Sequence, residues 1–325
     1  MPVLGIESSA HTLGVGIVDN GRILSNEKEM FEIKEGLIPS KVADFHANNA
    51  AKVLKRALEH ANISIDDIEA IGYTKGPGLG PCLRVGQVMA RSISAMKGLP
   101  LYPVNHAVAH IEITKHLAKA EDPLALYVSG GNSQILAIAE KPFRHYHVYG
   151  ETFDIGVGNM LDSFARAAGL KPPWGSTVEK VAAGGSYIEL PYTVKGMDFA
   201  FTGLLTSAIS ALKTESVGDV AFSLQETAFA MLGEATERAL MLTGKREIIM
   251  SGGVAQSARL KDMIKDICTE HKAKFFTAPN EFNGDNGAMI ALVAEKMYSS
   301  GKEYSFDKCD IDQRYRIDSV EVFWR

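Results

Sequence analysis

Cysteine is scarce. Cys82, Cys268 and Cys309 are the three in 325 residues, far apart and without CxxC spacing. That excludes a disulfide framework and a cysteine-rich zinc module, and an odd, sparse count fits a reducing, cytoplasmic setting. No apolar run approaches the roughly 20 residues needed to cross a bilayer. Met1 to Ser9 is too short, and at Glu7 too polar, for a signal sequence. Positive charge is not in excess either. Lys and Arg number 34 against 39 Asp and Glu, a formal net charge of -5. That excludes nucleic-acid binding through a large basic face, so any RNA site is local or shared with a basic partner. A P-loop is missing as well, because no Lys-Ser/Thr pair follows Gly76–Pro77–Gly78–Leu79–Gly80. That loop reads instead as a turn on a domain surface. The end at Phe323–Trp324–Arg325 fits a natural terminus and the edge of a longer fused polypeptide equally.

What is present is an α/β pattern that occurs twice. Val3 to Glu7, Leu13 to Val18 and Arg22 to Phe31 read as strands, with a hairpin at Asp19–Asn20–Gly21. Ser40 is expected to cap a helix running to about Ala61, with Val42, Phe45, Val53 and Leu54 on its apolar face. Ile68 to Tyr73, a helix from about Pro81 to Lys97, Leu101 to Val104 and a helix carrying His106 follow. From Leu124 the order recurs: Leu124 to Val128, Gln134 to Ala139 and Tyr146 to Glu151 as strands, then a helical section from Val157 to about Ala230. Glu247 to Met250, a helix, Lys274 to Thr277 and a helix from Gly287 to Ser299 complete it. The expected division is a lobe over residues 1–119 and a second over 120–325 with a helical insertion. Pro103–Val104–Asn105 and Pro279–Asn280 stand at matching places, so a pseudo-twofold would set the loops after them facing each other across a central cleft.

His106 and His110 are four apart, which puts both rings on one helix face, within reach of one divalent ion. By spacing alone the pair reads equally as one exposed and one hydrogen-bonded histidine. Asp285, on the loop expected opposite, tips the reading toward metal. A zinc protease needs a glutamate general base after the first histidine; Ala107 stands there, and Glu112 lies on another face. Ser129–Gly130–Gly131–Asn132 and Ser251–Gly252–Gly253–Val254 are glycine turns whose backbone N–H groups suit phosphate. Asp162 and Glu179 flank Pro172–Pro173–Trp174–Gly175; they suit ribose hydroxyls, though solvated helix charge is the readier explanation.

With these residues collected, the chain resembles the archaeal and eukaryotic branch of the TsaD/Gcp family. The matching segments include Gly5–Ile6–Glu7, Ala10–His11–Thr12, Gly76 to Gly80, Asn105 to Glu112 and Tyr127 to Asn132. They continue in Phe153–Asp154–Ile155–Gly156, Lys195–Gly196–Met197–Asp198, Gln225 to Phe229 and Asp285 to Ile290, so the likeness covers essentially the whole chain. His11 stands where the bacterial branch carries an acidic residue. In two places the pattern departs. Pro173–Trp174–Gly175–Ser176 replaces Pro-Gly-Gly-Pro, and Gln256–Ser257–Ala258 lacks the usual asparagine.

The resemblance implies a duplicated actin/hexokinase/Hsp70-like (ASKHA) fold of two lobes with mixed sheets. It implies one iron or zinc ion on His106, His110, Tyr127 and Asp285. It places an adenine nucleotide, ATP or threonylcarbamoyl-adenylate, along Tyr127, Val128, Ser129, Gly130, Gly131 and Asn132, with Asp162, Gly175, Glu179, Gly253 and Ser257 around it. The implied activity is transfer of the threonylcarbamoyl group to the amine of the tRNA adenosine beside the anticodon. Glu7 and His11 are expected to orient or deprotonate that amine, with structural support of their loop as the competing role. The implied partners are tRNA, a small kinase-like subunit and other subunits of the KEOPS assembly, and a separate synthase of the adenylate; no membrane is involved. The alternative is an ATP-dependent small-molecule kinase or ATPase of the same superfold, and a further one is a non-catalytic ATP-binding scaffold. Paired imidazoles speak against both, because phosphoryl transfer uses magnesium on oxygen ligands.

Overall fold

The computed structural model describes residues 1–32 and 38–324; Arg325, named above at the chain end, lies outside them. These residues form two compact units. One takes Met1–Ile113, Ala139–Tyr146 and Gly284–Arg325, the other Thr114–Ile138 and His147–Asn283. The units therefore cut the chain differently from the division expected at 119/120. The reason lies in where the last helix docks.

In the first unit, β1 (Pro2–Glu7), β2 (Thr12–Asp19) and β3 (Arg22–Met30) form an antiparallel meander. Asn20 and Gly21 both have positive φ, as a two-residue hairpin of right-handed strands requires. Helix α1 (Pro39–Ala61) leads to β4 (Ala70–Gly76), α2 (Gly80–Lys97), β5 (Leu101–Asn105) and α3 (His106–Ala118). Ser40 does not cap α1. Ile38 is the N-cap and Pro39 opens the helix, since proline's fixed φ suits the first turn and its missing N–H is not needed there. The sheet order is β3-β2-β1-β4-β5, with β4 and β5 parallel to β1.

The second half of the chain repeats this order. β6 (Leu124–Val128), β7 (Ser133–Ala139) and β8 (His145–Glu151) come first. A helical section follows: α4 (Val157–Ala167), α5 (Gly175–Ala182), a small hairpin of β9 (Val194–Lys195) and β10 (Asp198–Phe199), α6 (Thr202–Ala211) and α7 (Val217–Thr243). Then come β11 (Glu247–Ser251), α8 (Ala258–Glu270), β12 (Lys274–Thr277), the short α9 (Asn280–Asn283) and α10 (Gly287–Ser299). The sheet reads β8-β7-β6-β11-β12, again an antiparallel start with two parallel strands added beyond the first. Among the described residues no helix is long and apolar enough to cross a membrane.

Strands β1 and β2 are buried nearly throughout rather than alternately, because both faces of their sheet are covered. Ile6 points toward α2, while its neighbour Gly5 faces α10. A Cβ on Gly5 would lie 2.1 Å from the Ala291 nitrogen, and one on Gly16 2.2 Å from the Ala288 nitrogen. These bare positions let the backbone of α10 lie directly on the first sheet, so the second half's last helix belongs to the first half's core. Gly16→Ala is expected to lower stability by about 3 kcal/mol, since the obstructing atom is backbone and cannot swing aside. A denaturant midpoint equal to that of the wild type would contradict this.

Candidate metal centre and nucleotide loops

Strand β5 passes into α3 without a loop. Asn105 makes this possible: its Oδ1 accepts from the backbone N–H groups of Ala107 (3.0 Å) and Val108 (3.1 Å), and its Nδ2 donates to the Tyr315 carbonyl at 3.0 Å. His106 and His110 thus stand on the first turns of α3, both buried, with ring centroids 4.7 Å apart. Asp285 sits just before α10, whose N-cap Asn286 accepts from the Met289 N–H. The docking of α10 on the glycine-bare strands therefore carries Asp285 to α3. Its Oδ1 lies 3.2 Å from His110 Nε2 and 3.6 Å from His106 Nε2.

Glu7, at the end of β1, is fully buried behind this group. Its Oε2 lies 3.0 Å from His106 Nδ1 and accepts from Thr74 Oγ1 at 2.7 Å, and its Oε1 accepts from the Ser9 N–H at 2.6 Å. Burial disfavours every charge here, yet ion pairing overrides it at three of the four groups. Burial pulls the His106 imidazole down, but Glu7 and then Asp285 push it up to about 9. Against the same burial, His106 holds the Glu7 carboxyl below its usual range, and His110 with His106 does so for Asp285. His110 is held below its ordinary value by burial.

One nitrogen of each histidine and one oxygen of Asp285 lie within 4.8 Å of one another. Two imidazoles and a carboxylate form a donor set suited to iron or zinc. The second requirement of such a site is also met: Glu7 holds the Nδ1–H of His106, leaving Nε2 to face Asp285. His11 is half-buried between β1 and β2, and its carbonyl accepts from the Phe31 N–H at 2.8 Å. Tyr127 is placed in the other unit, on β6 and paired with Ser251 of β11.

The remaining expected residues come together in the second unit. Ser129 to Asn132 form the β6–β7 turn, closed by the Ser129 N–H on the Asn132 carbonyl (2.8 Å) and the Asn132 N–H on Ser129 Oγ (3.1 Å). The turn rests on the start of α4, where the N–H groups of Gly158 and Asn159 donate to the Ser129 and Gly130 carbonyls. Gly130 and Gly131 are exposed, with open space beside Gly131. The second glycine turn lies alongside: Gly252 has φ +95°, and a Cβ on it would fall 2.3 Å from the Val128 carbonyl oxygen. Gly253 opens a 3-10 turn, and Ser257 caps α8 through the Leu260 N–H. Asp162 accepts from the Gly175 N–H at 2.7 Å, which ties α4 to α5. Glu179 accepts from the N–H groups of Ala258 (3.0 Å) and Arg259 (3.2 Å), which ties α5 to α8. Both carboxylates thus sit at helix N-termini, the ends that favour negative charge.

Some participants escape a reading by motif. Thr74 and Ser9 hold Glu7, and nothing in their spacing marks them. Arg259 and Glu226 form a bidentate pair between α8 and α7 (2.7 and 2.6 Å). Asn105 was findable, since an asparagine directly before an apolar helix is a start signal. The Gly76–Gly80 turn is not a surface turn. The Leu79 N–H donates to the Ser9 carbonyl at 2.8 Å and the Asp312 N–H to the Lys75 carbonyl at 2.8 Å, so the segment around Asp312 covers it.

Known proteins can now be set beside this geometry. The TsaD family model, described as tRNA N6-adenosine threonylcarbamoyltransferase, matches residues 21–292. The tRNA N6-adenosine threonylcarbamoyltransferase of Thermococcus sibiricus is 46% identical over 328 residues, covering all of both chains. A probable bifunctional tRNA threonylcarbamoyladenosine biosynthesis protein of Thermoplasma acidophilum is 48% identical over 327 residues, and the chain spans 61% of its length. In fold, the chain is similar to the activator of 2-hydroxyisocaproyl-CoA dehydratase from Clostridium difficile. The TM-score is 0.56 at 13% identity, covering 94% of this chain and 100% of that one. At that identity the likeness concerns the fold alone.

Proposed function

The chain belongs to the TsaD family of tRNA N6-adenosine threonylcarbamoyltransferases, and from that membership we propose that it moves the threonylcarbamoyl group from threonylcarbamoyl-adenylate to the amine of the tRNA adenosine beside the anticodon. The observation that carries the proposal is the buried His106–His110–Asp285 cluster with Glu7 behind it. In this reading the three side chains hold one divalent ion, iron or zinc, with Tyr127 as a fourth ligand. Such an ion supplies Lewis acidity toward the acyl carbonyl and the departing phosphate. Glu7 acts through His106 by holding its Nδ1 proton, its Oε2 lying 3.0 Å from that nitrogen. His11 orients the incoming amine.

The nucleotide half of the substrate lies along Tyr127, Val128 and the Ser129–Asn132 turn, whose exposed glycines leave room for phosphate. Asp162, Gly175, Glu179, Gly253 and Ser257 frame the nucleoside. Residues 1–119 and 120–325 are the two copies of a duplicated unit, which the matching sheet orders support. The net charge of -5 favours a tRNA site completed by partners. Those partners are the small kinase-like subunit and its companions in the KEOPS assembly, with a separate synthase supplying the adenylate.

The test supplies threonylcarbamoyl-adenylate and tRNA to the chain with its partner subunits and measures modified adenosine by mass spectrometry of digested tRNA. Threonylcarbamoyladenosine is expected. Its absence with every combination of partners would overturn the proposal. Phosphate transfer to a small acceptor without tRNA would favour a kinase instead.

A further inference from the structure

Outside the metal cluster, one buried ionic group has no place in the reaction. Glu112 on α3 is 2% exposed; its Oε2 accepts from Lys296 Nζ on α10 at 2.7 Å, and its Oε1 from the Tyr146 hydroxyl at 2.7 Å. All three residues lie in the first unit. Two residues along a helix is a rotation of about 200°. Glu112 therefore projects from the side of α3 opposite His110.

On that side, one helical turn before Glu112, packing against α3 is incomplete. A cavity of about 180 Å³ is lined there by Val108 of α3, Asn105 at the end of β5, Val293 and Met297 of α10, and Tyr304 and Trp324 of the C-terminal segment. Side chains facing a void lose their packing partners on that side. Packing there constrains the rotation of α3 less than close-packed side chains would. The directed contacts of Glu112 add that constraint.

We propose that Glu112, Lys296 and Tyr146 are positioning residues for the metal ligands, locking α3 against α10 so that His106 and His110 meet Asp285. This rests on the metal reading above. Helix α10 carries both halves of the device, with Asp285 just before its first turn and Lys296 near its end. An apolar pair of similar volume would restore burial but fix no rotation, because dispersion contacts are not directional while a hydrogen-bonded ion pair is.

The experiment uses the full chain and reads the affinity for Co(II) and Zn(II) by competition with a chromophoric chelator, the Co(II) absorption band and the thermal midpoint. Lys296→Met is expected to weaken metal binding 10- to 100-fold, the usual range for groups that orient ligands, and to shift the band. Lys296→Arg should recover affinity and band. The double variant Glu112→Met with Lys296→Met should regain the thermal midpoint but not the affinity, which a merely stabilising pair would not produce. If Lys296→Met does not fold, Glu112→Gln carries the same comparison. Wild-type affinity and band in the single and double variants would overturn the inference while leaving the metal reading intact. A wild-type chain that binds neither ion removes both.

Discussion

Alanine at His106 or His110 is expected to weaken metal binding on the order of 1000-fold, about 4 kcal/mol, and to abolish tRNA modification in the assembled system. Each imidazole is buried, and each supplies one of three donor atoms within 4.8 Å of one another. Removing one leaves two donors, one of them Asp285, whose carboxylate is held below its usual range by His110 and His106. Elemental analysis of the purified variants and a chelator competition measure the first effect, and nucleoside mass spectrometry measures the second. Full metal content with undiminished modification would show that the histidines serve packing.

Glu7→Gln is expected to act through His106, and in two ways. In the metal-free chain burial favours a neutral His106, while Glu7, with Asp285 adding to it, pushes its pKa up to about 9. With Glu7 neutral, the largest upward push is gone and the titration falls against the same burial. The sign for stability follows. A proton bound more tightly by the folded chain stabilises it fully below about 6.5, and that contribution is lost as pH rises through about 9. The wild-type metal-free chain should therefore lose stability over that window, and the variant should show a flatter profile. Metal affinity should fall up to about 10-fold, because a neutral amide oxygen holds the Nδ1 proton of His106 less firmly than a carboxylate does. Imidazole NMR against pH and denaturant midpoints at pH 6.5 and 9 check both effects. A His106 titration unmoved by the substitution would refute the assignment.

Much of the architecture was legible as pattern. The strands from Val3, Leu13, Leu124 and Lys274 and the helix from Gly287 to Ser299 lie where periodicity and glycine turns place them. The sequence order also carried the duplication, which the two matching sheets express in space. Ser40 is a capping residue type, yet the helix opens one residue earlier, because Pro39 suits the first turn. The Gly76–Gly80 turn has the local pattern of a surface turn, but its cover comes from residues more than 200 positions later.

The same distinction holds at the metal cluster. Four-residue spacing on one helix put His106 and His110 together, since that contact is local and helix geometry alone fixes it. Sequence also excluded the protease through Ala107. The repeat and the family resemblance also pointed to Asp285; the tertiary structure supplied its distances and added Glu7 behind His106. Asp285 is 175 positions from His110 and Glu7 is 99 from His106. Those distances close because glycines on β1 and β2 admit the backbone of α10 and because Thr74 and Ser9 hold Glu7 in a dry interior. A local pattern specifies neighbours along a helix. How closely a remote carboxylate is buried beside them depends on how the helices and sheet pack, and no spacing in the chain encodes that.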